Sequence, residues 1–254
     1  MKVMLKKPLP SDPKTLRFIH EAQVTGQLEH PNIVPVHELA VEAGGNVFYT
    51  MKFVRGVTLE EVLEKLRAGD EAAVATFTLT RLLTIFQKAC DAVAFAHSRG
   101  VIHRDLKPDN IMIGEYGEVL VMDWGIAKVV PQGPQGPGGP KGVPTPVAPA
   151  QRSPTTVLSR DSINFVEEQG VTGEGVILGT PMYMAPEQAT GRKDLDQRAD
   201  IYTLGGILHS ILTLDLPIRA KSMNELMIKK VNGEVIPPVQ YSLDHAWRRK
   251  MKAA

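Results

Sequence analysis

The 254-residue sequence is poor in cysteine, in aromatic residues and in net charge. Its single cysteine, Cys90, excludes an internal disulfide bond and a cysteine-rich zinc site, and it is typical of a reducing compartment such as the cytoplasm. The 29 lysine and arginine residues nearly balance the 28 aspartate and glutamate residues, which argues against a nucleic-acid-binding protein. None of the seven histidines has a metal-ligand partner at helical spacing, so no zinc site is expected.

Long apolar runs are also missing. The longest uncharged run covers residues 201–214, and it is shorter than the roughly 20 apolar residues that span a bilayer. The basic N-terminal segment contains too short an apolar stretch for a secretory signal. Because 43% of the residues are hydrophobic and 22% are charged, we expect a globular chain with a buried core, one large domain or two small lobes, and no membrane segment.

Apolar spacing divides the chain into a small mixed α/β part and a mainly helical part. The first part is predicted to contain a helix at 13–28 and strands at 2–5, 33–39 and 47–53. The second part is predicted to contain helices at 56–66, 79–98 and 198–212, and short strands at 111–113 and 119–122.

The composition changes abruptly after residue 130. Eight prolines and five glycines occur between Pro131 and Pro154, and a segment of this kind buries too little apolar surface to form a packed core. We therefore expect a disordered, proline- and glycine-rich insertion at about 130–175.

Four motifs carry the chemical information of the sequence. They are H-R-D-L-K-P-D-N at 103–110, D-W-G at 123–125, A-P-E at 185–187 and D-I-Y-T-L-G at 200–205. In this order and approximate spacing they resemble the motifs of the protein kinases, in particular the eukaryotic-like (Hanks-type) serine/threonine kinases of bacteria. The resemblance covers about two thirds of the chain, from Lys2 to roughly Pro217 without the insertion.

The resemblance implies an α+β, protein-kinase-like bilobal fold. Residues 1–54 are expected to form a truncated small N-lobe with a β-sheet and one helix. Residues 55–254 are expected to form a mainly helical, incomplete C-lobe, with the insertion inside its activation segment.

The same resemblance implies a catalytic site for phosphoryl transfer from ATP with Mg²⁺. Asp105 would orient the attacking hydroxyl, and Lys107 would place positive charge beside the transferred phosphoryl group. Asn110 and Asp123 would be the Mg²⁺ ligands, because their side chains offer hard oxygen atoms. Thr180 resembles the threonine that binds Asp105 and Lys107 in serine/threonine kinases.

The nucleotide is expected to bind between the two lobes. Lys2 resembles the lysine that contacts the ATP phosphates, and Glu21, nineteen residues later, is its expected ion-pair partner. The adenine base is expected to contact the back, the hinge and the floor of the pocket. The resemblance assigns the back to Met51, the hinge to Phe53 and Val54, and the floor to Met112. Lys52 would belong to the same hinge.

Three further residues receive supporting roles from the resemblance. Asp200 would anchor the backbone of the catalytic loop, and His103 would be structural, stacked near Trp124. Arg104 would pair with a phosphate on the activation segment, for which Thr172 is the first candidate.

Two parts of the family pattern are absent from the printed sequence. The glycine-rich loop and two strands that should precede Lys2 are missing, and residues after Pro217 do not resemble the closing helices that supply an arginine to Glu187. The sequence is therefore expected to be a fragment or to have misplaced ends.

The predicted function is transfer of the ATP γ-phosphoryl group to serine and threonine hydroxyls of proteins, a second copy of the chain in trans included. Neither nucleic acid nor membrane is an expected partner. The alternatives are a catalytically impaired fragment that acts as a binding or regulatory module because the glycine-rich loop is missing, and a chain that does not fold stably.

Overall fold

A computed structural model of the chain describes residues 2–3, 13–41, 46–130, 181–192 and 194–238, and at residues 2, 3, 13 and 14 it describes the backbone alone. The predicted insertion from Pro131 onward, with Thr172 and Thr180, lies outside the described residues. Within these ranges, no helix combines the length and the apolar character needed to cross a membrane.

The described residues of the N-terminal part form a three-stranded antiparallel sheet and one helix. The elements are β1 Lys2–Val3, α1 Pro13–Gly26, β2 Val36–Val41 and β3 Val47–Met51. The strand order is β1-β3-β2, so β3 is central, and Lys2 stands directly opposite Tyr49. Alternate residues of β3, Val47 and Tyr49, are buried, as the period of two in a strand requires.

The C-terminal part, as far as the structure describes it, is mainly helical and contains two small sheets. Its elements are β4 Gly56–Thr58, α2 Leu59–Arg67, α3 Glu71–Thr76, α4 Leu79–Ser98, β5 Val101–Ile102, β6 Ile111–Gly114, β7 Val119–Val121, β8 Lys128–Val129, α5 Pro186–Ala189, α6 Arg198–Thr213 and α7 Met223–Val231. One sheet has the order β4-β6-β7, and β5 pairs with β8. The core lies between α2, α4, α6 and the β6–β7 hairpin.

The helix predicted to open at residue 56 begins instead at Leu59. Residues 56–58 form β4, because the N-cap is Thr58, whose hydroxyl accepts from the N–H of Glu61 while the Glu61 carboxylate accepts from the N–H of Thr58. Gly56 has a φ of 155°, and a Cβ there would collide with the carbonyl oxygen of Ile113. Only glycine allows β4 to approach β6 so closely.

Several predicted boundaries in the N-terminal part are also wrong, and among them the two strands end at Val41 and Met51 rather than at residues 39 and 53. The helix expected to reach residue 28 ends at Gly26, although Leu28 remains buried in the following turn. The strand expected from residue 33 begins at Val36, because Ile33 instead forms an isolated parallel bridge to Val121 of β7. The segment between α1 and β2 therefore contacts the C-terminal part.

Helix α4 confirms its prediction, and α6 confirms it to within one residue. The apolar face of α4 that includes Leu82, Ile85, Ala89 and Val93 is buried, and the helix ends before Gly100, whose φ of 75° is favourable for glycine. Helix α7 was not predicted, because only Leu226 and Lys230 of this helix are buried. Its apolar residues do not share one buried face.

Candidate active site

The predicted catalytic loop, residues 103–110, begins after β5 and ends in a short 3-10 helix, Pro108–Asn110. Asp200 of α6 is 1% exposed, and its carboxylate accepts from the backbone N–H of His103 at 2.8 Å and of Arg104 at 2.9 Å. It also lies 2.7 Å from Nε2 of His97 on α4. The prediction that Asp200 anchors the backbone of this loop is confirmed.

Three of the predicted catalytic residues lie together in the loop. The Nζ atom of Lys107 is 3.5 Å from Oδ2 of Asp105, and both side chains are partly exposed. The side-chain amide of Asn110 donates to the carbonyl oxygen of Asp105 at 2.8 Å. This bond fixes the amide beside the loop, so a cation would meet its oxygen rather than its nitrogen.

Asp123 lies at the same end of the β6–β7 hairpin as Asn110. Asn110 directly precedes β6, Ile111 pairs with Val121 of β7, and the N–H of Met122 donates to the carbonyl oxygen of Asn110 at 2.9 Å. The side chain of Asp123 is exposed, and its φ of 61° is left-handed. Aspartate is one of the few non-glycine residues that adopt this conformation readily.

Glu21 of α1 approaches the same place from the N-terminal part. A Cβ atom on Gly125 would lie 3.2 Å from Oδ1 of Asp123 and 3.4 Å from Oε2 of Glu21. The two carboxylates therefore both lie close to Gly125. The structure thus brings Glu21, Asp123 and the catalytic loop to one region.

The Lys2–Glu21 ion pair stays a prediction. The backbone of Lys2 stands opposite Tyr49 in the strand register, and the hydroxyl of Tyr49 donates to Oε1 of Glu21 at 2.6 Å. The register is consistent with a Lys2–Glu21 contact.

The residues predicted to contact adenine lie at or just after the end of β3 and in the middle of β6. Met51, Val54 and Met112 are half-buried. The side chain of Phe53 is 79% exposed, so its backbone is the part suited to contact a base. The N–H of Lys52 donates to the carbonyl oxygen of Pro35 at 3.1 Å, and this donor is therefore not available to a base. Convergence of these residues on one adenine ring stays a prediction.

The structure confirms the structural role predicted for His103. Its ring is fully buried, lies 4.5 Å from the ring of Trp124, and contacts the carbonyl oxygen of Met122 through Nε2 at 3.1 Å. Burial lowers the pKa of His103. Its ring is therefore neutral at physiological pH and is enclosed by protein.

Arg104 contacts the segment that carries Asp123. Its φ is 68°, its Nε donates to the carbonyl oxygen of Ile126 at 2.5 Å, and a terminal nitrogen donates to that of Ala127 at 3.4 Å. Pairing of this guanidinium with a phosphate stays a prediction.

Sequence reasoning missed two residues that contact this region. The side-chain amide of Gln188 on α5 donates to the carbonyl oxygen of Arg104 at 2.7 Å, and Tyr49 binds Glu21. A signal existed for Tyr49, because a tyrosine at a buried strand position requires a partner for its hydroxyl. No sequence signal marks Gln188.

Comparison with known proteins gives concordant matches. The chain matches the protein kinase domain family over residues 1–151. The serine/threonine-protein kinase PknD of Protochlamydia amoebophila is 38% identical over 227 residues, which cover 88% of this chain and 21% of that protein. PknD of Chlamydia trachomatis is 35% identical over 234 residues, which cover 89% of this chain and 22% of that protein. This chain thus spans about a fifth of the length of these relatives.

The chain belongs to the protein kinase domain family. Its similarity to bacterial serine/threonine kinases confirms the resemblance inferred from the motifs and the predicted kinase-like α+β fold. The similarity also extends over more of the chain than the predicted two thirds. Kinases of this family act on protein substrates and generally use ATP and Mg²⁺.

Proposed function

We propose that the protein is a serine/threonine protein kinase that transfers the γ-phosphoryl group of ATP to serine and threonine hydroxyls of proteins. The observation that carries this proposal is the 3.5 Å approach of Lys107 to Asp105, in a loop whose backbone is held by the buried carboxylate of Asp200. Phosphoryl transfer requires accurate positioning and electrostatic stabilisation more than covalent chemistry. A loop fixed in this way meets that requirement.

Asp105 and Lys107 have complementary roles in this proposal. The Asp105 carboxylate accepts a hydrogen bond from the substrate hydroxyl and directs its oxygen toward phosphorus. Lys107 places positive charge where negative charge develops on the phosphoryl oxygens. Thr180 is proposed to bind both side chains from the activation segment.

The residues present fit Mg²⁺ and ATP. The amide oxygen of Asn110 and the carboxylate of Asp123 are hard oxygen donors at the same end of one hairpin, which suits Mg²⁺. When bound, the metal ion neutralises charge on the phosphate oxygens. We assign the contact with the phosphates to Lys2, with Glu21 as its ion-pair partner. We assign the base to a set of four residues: Met51, Phe53, Val54 and Met112.

The division into an N-lobe of residues 1–54 and a C-lobe of residues 55–254 is part of the proposal. It is supported by strand pairing, because β3 joins the N-terminal sheet whereas β4, beginning at Gly56, joins the C-terminal hairpin through β6. Serine- and threonine-containing proteins are the proposed partners, including a second copy of the chain in trans. The cytoplasm, which supplies ATP, is the proposed location.

The alternative of a binding or regulatory module is not favoured. Asp105, Lys107, Asn110, Asp123 and Glu21 are all retained, whereas a module without turnover has no need for them. Both curated relatives described above are serine/threonine kinases by name.

The proposal is tested by incubating the purified chain with Mg²⁺, ATP and serine/threonine peptides. Replacement Asp105→Asn removes the group that orients the hydroxyl, and we expect phosphate incorporation to fall roughly 100-fold or more. The matched control is Asp109→Asn, which removes the same charge from an exposed position in the same loop and should retain activity. Equal incorporation by the wild type and Asp105→Asn would indicate a module, and phosphate on tyrosine alone would contradict the specificity.

A further inference from the structure

Tyr49 connects the N-terminal sheet to helix α1. It lies on the central strand β3, is 2% exposed, and donates its hydroxyl to Oε1 of Glu21 at 2.6 Å. Its ring also lies 5.0 Å from the ring of Phe18, one turn before Glu21 on α1. One side chain of the sheet thus contacts both the apolar surface and the carboxylate of the helix.

The bond between Tyr49 and Glu21 is of the strong type. A donor–acceptor distance of 2.6 Å is typical of a hydroxyl that binds an ionised carboxylate. Glu21 is only 7% exposed, so loss of the donor would leave a buried carboxylate oxygen without this partner. Burial and the Glu21 bond raise the pKa of Tyr49, so the hydroxyl keeps its proton throughout the physiological range.

The bond also determines which way the Glu21 carboxylate faces. Oε1 is held by the sheet, and Oε2 lies 3.4 Å from the position of a Cβ on Gly125, next to Asp123. The residue opposite Tyr49 in the strand register is Lys2. Tyr49 is therefore adjacent in the fold to both members of the proposed phosphate-binding pair.

We propose that Tyr49 is a positioning residue of the kinase, whose hydroxyl orients the Glu21 carboxylate and thereby sets the Lys2–Glu21 pair that binds the nucleotide phosphates. This inference rests on the proposed function. It assigns Tyr49 no contact with the nucleotide or with the transferred group.

The test is Tyr49→Phe, which removes the hydroxyl and keeps the ring that packs on Phe18. We expect the Kd for Mg²⁺–ADP, measured by calorimetric titration, to rise roughly 10-fold or more, and kcat/KM for ATP to fall by a similar factor. The matched control is Tyr116→Phe, because Tyr116 is 94% exposed, and both values should equal those of the wild type.

A double-mutant cycle tests whether the effect of Tyr49→Phe on nucleotide binding is transmitted through the Glu21 carboxylate. If Tyr49 acts through the carboxylate, Tyr49→Phe should add little in the Glu21→Gln background. An undiminished effect in that background overturns the proposal, as does wild-type Mg²⁺–ADP binding by Tyr49→Phe. Loss of a cooperative thermal transition in Tyr49→Phe would assign the hydroxyl a purely structural role and equally overturns it.

The nucleotide titration separates this inference from the proposed function, because it requires no turnover. Activity that survives Asp105→Asn contradicts the proposed function and leaves the titration to decide the role of Tyr49. Conversely, an inactive Asp105→Asn together with wild-type binding by Tyr49→Phe contradicts the inference alone.

Discussion

Gly125 lies beside the carboxylates of Asp123 and Glu21. A methyl group there would lie 3.2 Å from Oδ1 of Asp123 and 3.4 Å from Oε2 of Glu21. The first distance is shorter than most carbon–oxygen contacts, so the Asp123 carboxylate must shift by a few tenths of an ångström. Because Asp123 is a proposed Mg²⁺ ligand and metal ligands must be placed accurately, a side chain at this position is expected to impair the site.

Gly125→Ala should therefore weaken activity without unfolding the protein. We expect kcat/KM for ATP to fall roughly 3- to 10-fold, with a raised requirement for Mg²⁺, measured by initial rates at several Mg²⁺ concentrations. Gly26→Ala is the control, because a Cβ at the end of α1 meets nothing within 4 Å. Unchanged Mg²⁺ dependence in Gly125→Ala would show that Asp123 tolerates the contact.

The residues of the motifs could be predicted from the sequence. The contacts made in this region by residues outside the motifs could not. Asp105, Lys107 and Asn110 share one eight-residue segment, so local geometry brings them together. The bond from Tyr49 to Glu21 joins positions 28 residues apart on a strand and a helix. Packing of α1 on the sheet determines that contact. Neither the helical spacing nor the strand alternation of apolar residues in the sequence reveals it.

At the scale of secondary structure, α6 holds the catalytic loop through one buried side chain. The two oxygens of Asp200 accept from the successive backbone N–H groups of His103 and Arg104 and contact His97 of α4. One carboxylate therefore joins two helices and the loop.

Asp200→Asn should weaken the connection that this carboxylate makes between the two helices and the loop. An amide has one accepting oxygen where the carboxylate has two, so at least one backbone N–H loses its acceptor. We expect the free energy of unfolding in urea to fall by about 2–4 kcal/mol, with a larger proportional loss of kcat than of peptide affinity. The control is Asp194→Asn, an exposed partner of Arg192, whose unfolding midpoint should not move.

Long helices with one continuous buried face could be predicted, and so could the short strands β6 and β7, whereas α7 and β4 could not. The face of α4 is buried along its whole length, so its apolar spacing fixed both ends. In α7 a lysine takes one of the two buried positions, and apolar side chains such as Met223 and Ile228 are exposed. Strand β4 was missed because tertiary pairing with β6 determines it.

At the scale of the whole molecule, Lys230 couples stability to pH. It is 1% exposed on α7, donates to the carbonyl oxygen of Met182 at 3.3 Å, and lies 5.4 Å from the centre of the Tyr202 ring. Burial lowers the pKa of Lys230 from 10.5 to about 8. Between these values the unfolded chain binds more protons than the folded chain, so stability rises with pH across this window.

Comparison of the wild type with Lys230→Met isolates this effect. As the pH rises from about 7.5 to 10, the wild type should gain about 1–3 kcal/mol of unfolding free energy relative to the variant. Urea unfolding at several pH values measures the difference. Lys229→Met is the control, since Lys229 is partly exposed and pairs with Glu225. A constant difference between wild type and Lys230→Met would mean that the buried amine keeps an ordinary pKa.

The turn that follows α1 restricts how this helix can move. The carbonyl oxygen of Asn32 accepts from the N–H of Val121 at 2.8 Å, and its side chain donates to the carbonyl oxygen of Val119 at 2.9 Å. The segment that follows α1 is thus bound to the hairpin that carries the proposed metal ligands. A movement of α1 that pivots near this segment would carry Glu21 away from Asp123 and leave the hairpin in place.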